Sequence, residues 1–444
     1  MDLTALRAAL DEAPVRRVTG RLVQAVGPLL EAELPGAMLG SVWRVEPKAV
    51  CEVVGFRERR ALLMPLEDTE GVTFGAPVTH LTDTLTVSVG PELLGRVVDG
   101  LGRAIDGRPL PATSIRRKVS GSAPPPLQRA LITEPLATGV RVIDGLCTLG
   151  IGQRMSIMAG SGVGKSTLLG AIARNVRVDA NVICLVGERG REVREFLETN
   201  LGEEGLKRSV LVVATSEQSP AQQVKAPFLA TTIAEALRDA GMNVLLMVDS
   251  LTRLALAQRQ IGLAAGEPPT TRGFTPSVFG LMPKLLERAG PGANGKSITG
   301  LYTVLVEGDD INDPIGDAVR GIVDGHLVLT RKLASHNHYP AVDVLESLSR
   351  LMPRVTDDKH RSAAGRCRDL LATWAENEEL VRLGAYRKGS SPQVDEAIDR
   401  MPHLLRFLQQ GGEGTSFDET LRQLDAAIGA KPPHGRPTLR PVQR

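Results

Sequence analysis

Gly160, Ser161, Gly162, Val163, Gly164, Lys165, Ser166 and Thr167 form a glycine-rich turn that runs into Lys-Ser-Thr, a composition suited to gripping a polyphosphate. Glycines lacking side chains let backbone N–H groups converge on an anion. Lys165 brings a mobile positive charge to the outer phosphates, and the Ser166 hydroxyl is placed to ligate Mg²⁺. The chemistry this points to is hydrolysis of ATP with Mg²⁺ as its companion ion. One departure is visible: five residues before Gly164, where the motif ordinarily has its first glycine, the residue is Ala159. That matters only if the position needs a positive φ.

Phosphoryl chemistry needs carboxylates beside the phosphate cradle, and two short runs supply them. Val244-Leu245-Leu246-Met247-Val248 reads as a buried strand that ends in Asp249, where a Mg²⁺-organising carboxylate belongs at the carboxyl edge of a sheet. The competing reading is a helix cap, since Asp249-Ser250 also precedes the helical Leu251-Thr252-Arg253-Leu254. The second run, Val182-Ile183-Cys184-Leu185-Val186, leads into Gly187-Glu188-Arg189-Gly190-Arg191-Glu192. Glu188 suits the orientation or deprotonation of water beside a γ-phosphate, Arg189 the stabilisation of phosphate charge, and Glu192, one helical turn on, a metal-bound water. Spacing alone leaves this run equally readable as a solvated charged turn.

These residues require a strand, a loop and a helix in that order. Met155-Ser156-Ile157-Met158 reads as the strand and Leu168-Leu169-Gly170-Ala171-Ile172-Ala173 as the opening of the helix. A chain of 444 residues is too long for one ordinary core and implies two or three domains. Residues 1–13 place Leu3, Leu6 and Leu10 at helical spacing. Short β-like runs over residues 14–90, among them Arg21–Val26 and Leu81–Val87, read as a small β-barrel. A linker at Ser120-Gly121-Ser122-Ala123-Pro124-Pro125-Pro126 follows. Strands alternating with helices over the rest of 91–350 imply a mainly parallel α/β sheet. Residues 351–430 carry helical signals, including Leu370, Trp374, Ile398 and Leu404, and a proline-rich tail at 431–444 is expected to dangle.

A net charge of +2 gives no global electrostatic case for nucleic acid as a partner. Cys51, Cys147, Cys184 and Cys367 are scattered, without metal or redox spacing, and read as buried reduced thiols. With no basic n-region followed by an apolar stretch, and no apolar window near the ~20 residues of a membrane span, a cytoplasmic location is expected.

Taken together, the phosphate loop, Gly187–Glu192 and Asp249-Ser250-Leu251-Thr252-Arg253 resemble the catalytic β subunit of the rotary F₁ ATPase. The chain is more similar still to the type III secretion and flagellar export ATPases. That likeness extends through Gly266-Glu267-Pro268-Pro269-Thr270-Thr271-Arg272-Gly273, Val306-Glu307-Gly308-Asp309-Asp310 and His338-Tyr339-Pro340-Ala341-Val342-Asp343. The resemblance implies a homohexamer with ATP between subunits, an N-terminal barrel, a RecA-like P-loop core and a C-terminal helical domain. It implies Glu188 as general base, Tyr339 as an adenine-stacking residue, and Arg350 as an arginine finger reaching a neighbour's nucleotide. From the residues alone, Tyr339 reads equally as a core aromatic and Arg350 as half of a surface ion pair.

The implied partners are a stator-like regulator, a stalk-like protein, membrane proteins of the export gate and chaperone–substrate complexes, at the cytoplasmic face of the inner membrane. Leu3, Leu6 and Leu10 offer a docking face for the regulator or simple packing on the barrel. Gly384-Ala385-Tyr386-Arg387-Lys388-Gly389-Ser390, basic where F₁ β subunits are acidic, is similar to the flagellar branch more than to injectisome or rotary enzymes. An RNA-translocating hexamer shares the core and barrel, but Trp43, Phe56 and Phe74 are the barrel's sole aromatics, a poor stacking surface. A non-hydrolysing scaffold is disfavoured by the joint presence of Lys165, Glu188, Asp249 and Arg350.

Overall fold

The computed structural model describes residues 19–112, 115–306 and 313–429. The Leu3–Leu10 segment, Glu307–Asp310 and the tail from residue 430 lie outside the described residues.

Six strands close an N-terminal barrel: β1 (Thr19–Val26), β2 (Leu29–Glu33), β3 (Val42–Val45), β4 (Ala49–Arg57), β5 (Arg60–Pro65) and β6 (Pro77–Thr82), in the order β1-β2-β5-β4-β3-β6. Their inward positions are small or branched, and Trp43 fills the middle at 1% exposure, its indole N–H donating to Ser41 Oγ at 2.8 Å. Trp43 is therefore core. The run Leu81–Val87, read from sequence as one strand, is two: β6 ends at Thr82, the chain bends, and Thr86–Val89 pairs instead with Ile115–Lys118. Alternation of apolar and polar residues survives a bend of this kind, so periodicity could not reveal it.

The core is a nine-stranded sheet. Its principal path comprises β7 (Arg96–Asp99), β8 (Arg154–Ala159), β9 (Ala180–Val186), β10 (Ser209–Ala214), β11 (Val244–Asp249), β12 (Ser297–Leu305), β13 (Gly325–Leu329) and β14 (Val342–Ser349). The order is β14-β13-β8-β12-β11-β9-β10-β7, all parallel except the edge strand β14. β9, β10 and β11 are buried at every position because helices cover both faces, so they read as unbroken apolar runs. Those helices include α1 (Lys165–Asn175), α2 (Pro220–Asp239) and α3 (Leu251–Ala265).

The barrel rests on α2 through Gln222 Nε2, which donates to Leu66 O at 2.7 Å, and through a 2.6 Å ion pair of Lys225 with Glu52. The proline-rich linker starts from an ordered point. Arg288, with no exposure, donates to Val119 O at 3.0 Å while paired with Glu235 at 2.7 Å.

The C-terminal part is helical: α4 (Asp358–Arg382), α5 (Pro392–Leu408) and α6 (Phe417–Ile428). Leu370 and Leu404 are buried there, whereas Leu380 is 48% exposed near the end of α4. All four cysteines are free and buried, and burial holds the Cys51 thiol up at about 12.

Candidate active site

The phosphate loop lies between β8 and α1, at the carboxyl end of the parallel strands. Gly162 and Gly164 take φ of 79° and 85°, left-handed values that a Cβ would penalise. Ala159 is the last residue of β8 and its φ is not positive, so the missing first glycine costs the loop nothing. The Val163 side chain is 1% exposed and packs in the core. Ser166 and Thr167 are exposed on the first turn of α1.

Three elements converge on Lys165. Its ammonium contacts Asp249 Oδ1 and lies 3.5 Å from Glu188 Oε1, the three side chains being 10%, 5% and 15% exposed. Asp249 ends β11, and its Oδ1 also accepts from Thr303 Oγ1 at 2.6 Å. The helix-cap reading applies to its neighbour: Ser250 caps α3 by accepting from Arg253 N, which leaves the Asp249 carboxylate to Lys165 and Thr303. Burial raises the Glu188 carboxyl to about 7, with Asp249 and Glu192 pushing the same way and Lys165 opposing. Such a group is poised for proton transfer near neutrality.

The charged run after β9 divides. Glu188 turns inward, while Arg189 is 76% exposed and pairs with Glu192 at 3.5 Å. Gly187 makes the turn with φ of 68°, and a Cβ there would fall 2.9 Å from Arg253 Cβ. Close packing at Gly187 thus brings the Arg253 stem against the start of the turn.

Two cavities meet at the loop. The first, about 570 Å³, is lined by the phosphate loop together with Glu188, Glu192, Thr252, Arg253 and Arg331. The second, about 390 Å³, lies across Gly162, Gly164 and Thr167 and is walled by Val140, Ala171, Tyr339 and the Gln410–Glu413 segment. Tyr339 is 41% exposed, and its ring edge approaches Gly164 so closely that a Cβ there would sit 3.2 Å from Tyr339 Cε1. The far wall belongs to the loop between α5 and α6. Gln410 N donates to Tyr339 O at 2.9 Å, while its side chain accepts from Arg141 N and donates to Gly139 O, each at 2.8 Å.

Sequence reasoning missed Thr303, Arg331 and Gln410 as site residues. Thr303 and Gln410 reach the site only through contacts 54 and 269 residues apart in sequence, and no local spacing signals them. Arg350 is not in the chain's own phosphate site. It follows β14, which runs antiparallel to β13, and therefore lies at the edge of the sheet opposite Lys165. β14 bulges between Asp343 and Leu348, so along the strands the two ends are set apart by the five residues of β13, roughly 13 Å. Its side chain donates to Arg320 O at 3.3 Å.

The chemistry of the expected donors suits Mg²⁺: Ser166 and Asp249 both offer oxygen, and among the described residues there is no cluster of three or more His, Cys, Asp or Glu. Mg²⁺ ordinarily takes one or two carboxylates plus phosphate oxygens and water.

Comparison with known proteins bears on the same three regions. Residues 16–81 match the β-barrel domain of the ATP synthase alpha/beta family, residues 139–349 its nucleotide-binding domain, and residues 356–426 the T3SS EscN ATPase C-terminal domain. The flagellum-specific ATP synthase of Bacillus subtilis is 48% identical over 92% of this chain and 95% of its own. The type 3 secretion system ATPase of Xanthomonas euvesicatoria is 51% identical over 95% and 96%. Among solved structures, the assembled ATPase EscN of the enteropathogenic E. coli type III secretion system superposes with a TM-score of 0.89, at 46% identity, covering 92% of this chain and all of that one. The same ATPase in complex with its central stalk EscO gives 0.86 at 45% identity with the same coverage. A barrel, a phosphate-loop core and a secretion-type C-terminal domain in this order, matched along nearly the whole chain, place it in the ATP synthase alpha/beta family, among the ATPases of type III secretion and flagellar export.

Proposed function

We propose that this ATPase works as a homohexamer at the cytoplasmic face of the inner membrane, where hydrolysis acts on chaperone–substrate complexes at the export gate. The observation that carries its chemistry is the meeting of Lys165 and Glu188, which line one phosphate cavity, with the buried Asp249 from a third element.

Lys165 leaves the two carboxylates for the incoming phosphates, joined by the amides of Gly160–Gly164. Ser166 and Asp249 are the residues that would hold Mg²⁺, with Glu192 holding one of its waters. When bound, the ion neutralises phosphate charge. Glu188 orients the attacking water and takes its proton, a task matched to a carboxyl near 7. Arg189, on the cavity rim, adds positive charge toward the outer phosphates, and Tyr339 stacks on the adenine.

Arg350 acts on the neighbouring subunit's nucleotide. Its place at the sheet edge away from its own phosphate loop supports a role in trans. Nucleotide in the base cavity presses on the Gln410–Glu413 loop and so on α5 and α6, which passes the motion to a stalk-like partner. Leu383, 70% exposed just before the basic segment 384–390, supports contact at that tip. The stator-like regulator is assigned to residues 1–13, outside the described residues. Flagellar export, favoured by Arg387 and Lys388, and injectisome secretion are told apart by gene neighbourhood, because relatives of both kinds align at about the same identity.

Lys165→Ala and Glu188→Gln test the chemistry together. Binding of a labelled ATP analogue should weaken in the first and persist in the second, while Glu188→Gln loses about 10³-fold or more in phosphate release. Substantial hydrolysis by Glu188→Gln removes it from the base role.

A further inference from the structure

Thr303 lies two residues before the end of β12, fully buried. That strand runs between the phosphate-loop strand β8 and the Asp249 strand β11. Its register sets Thr303 beside Ile157 on one side and, one step past the Val248–Tyr302 pair, beside Asp249 on the other. A buried hydroxyl must find an acceptor. Thr303 Oγ1 has Asp249 Oδ1 at 2.6 Å and Val248 O at a much longer 3.4 Å. We propose that Thr303 is a positioning residue of the hydrolytic site, whose hydroxyl fixes the Asp249 carboxylate so that its second oxygen keeps one direction.

The argument rests on how the two carboxylate oxygens are shared. Oδ1 receives both Thr303 and Lys165, whereas Oδ2 has no hydrogen-bond partner among the described residues. Lys165 is a temporary partner, because phosphates compete for its ammonium. Once Lys165 turns to them, Thr303 is the remaining side-chain anchor on Asp249 among the described residues. A carboxylate without it rotates about a broad torsion and presents its oxygen in many directions. Held by it, the group is organised before the metal arrives, the usual contribution of an outer partner to a metal-binding carboxylate.

The inference rests on the reading of Asp249 as the metal-organising residue, so the test separates the two. In the full-length ATPase, Mg²⁺ is titrated against phosphate release and, independently, against equilibrium binding of a fluorescent ATP analogue, for Thr303→Val, Thr303→Ser, Asp249→Asn and Thr299→Val. Thr299 lies on the same strand, equally buried, but its Oγ1 accepts from Gly152 N at 2.8 Å, at the far end from the site. Thr303→Val should raise the Mg²⁺ needed for half-saturation roughly tenfold in both measurements and leave analogue binding in excess chelator unchanged. Thr303→Ser should restore the wild-type requirement, and Thr299→Val should not alter it. A normal Mg²⁺ requirement in Thr303→Val, with a raised one in Asp249→Asn, overturns the role of Thr303 and leaves Asp249 in place. A normal requirement in Asp249→Asn overturns the underlying reading. Should Thr303→Val melt far below wild type, Thr303→Cys, of similar size and a weak donor, decides by the same titrations.

Discussion

The phosphate cavity and the base cavity share Gly162, Gly164 and Thr167 as a common wall, yet they are built on different terms. On the phosphate side, charged groups from the turn after β9, the end of β11 and the start of α1 converge within 3.5 Å. On the base side, contacts are apolar or amide-rich, and the far wall hangs from a loop between C-terminal helices, tied back through Gln410 and Tyr339. Strands buried on both faces can hold charges to within fractions of an ångström, as proton and phosphoryl transfer require. A loop wall tolerates small shifts and can report them. The proposed function thus assigns chemistry to the strand-held side and coupling to the loop-walled one.

The largest blow to this contrast would come from Arg350, which belongs to neither cavity of its own chain. Arg350→Ala should lower turnover about 10³-fold with nucleotide affinity nearly intact. Mixing it with Lys165→Ala subunits, which keep the finger, should recover part of the activity that neither variant shows alone. Verified mixed assemblies that stay inactive, beside an Arg350→Ala enzyme that hydrolyses normally, would make Arg350 structural.

A smaller effect separates the two sides directly. Tyr339→Ala should raise KM for ATP roughly 10-fold or more, the usual scale for a lost base–aromatic stack, and leave kcat within about twofold. Tyr339→Phe should behave as wild type. A fall in kcat with KM unchanged would show that the base side does chemistry after all, and the division proposed here would collapse.

The mildest test is pH. Glu188, raised to about 7 chiefly by burial, must be ionised to accept a proton, so kcat/KM should climb as pH rises through 7. For one such group the gain between pH 6 and 8 is about tenfold. The limb should vanish from the residual activity of Glu188→Gln. If it persists there unchanged, another group controls the profile.

The sequence carried the phosphate loop because every part of it lies within nine residues, and Asp249 because an apolar run of five residues points to the end of a buried strand. Glu188 was half legible: its strand was clear, but only the folded chain shows Glu188 turned inward and Arg189 turned out to 76% exposure. The bend after Thr82 was hidden, since alternation continues across it. The likeness to export ATPases named Tyr339 and Arg350 without placing them.

Composition and short-range pattern determined the fold class, the phosphate cradle and the carboxylates that go with it, because helix and strand periodicities and loop motifs are properties of neighbouring residues. Tertiary structure alone decided that Asp249 is bonded by Thr303, 54 residues away, that the cavity beside Tyr339 is walled by Gln410, and that Arg350 lies at the end of the sheet away from its own phosphate loop. Those outcomes depend on strand order and on the antiparallel turn of β14. Strand order is set by how the whole set of apolar faces packs, a global property that no local stretch of sequence encodes.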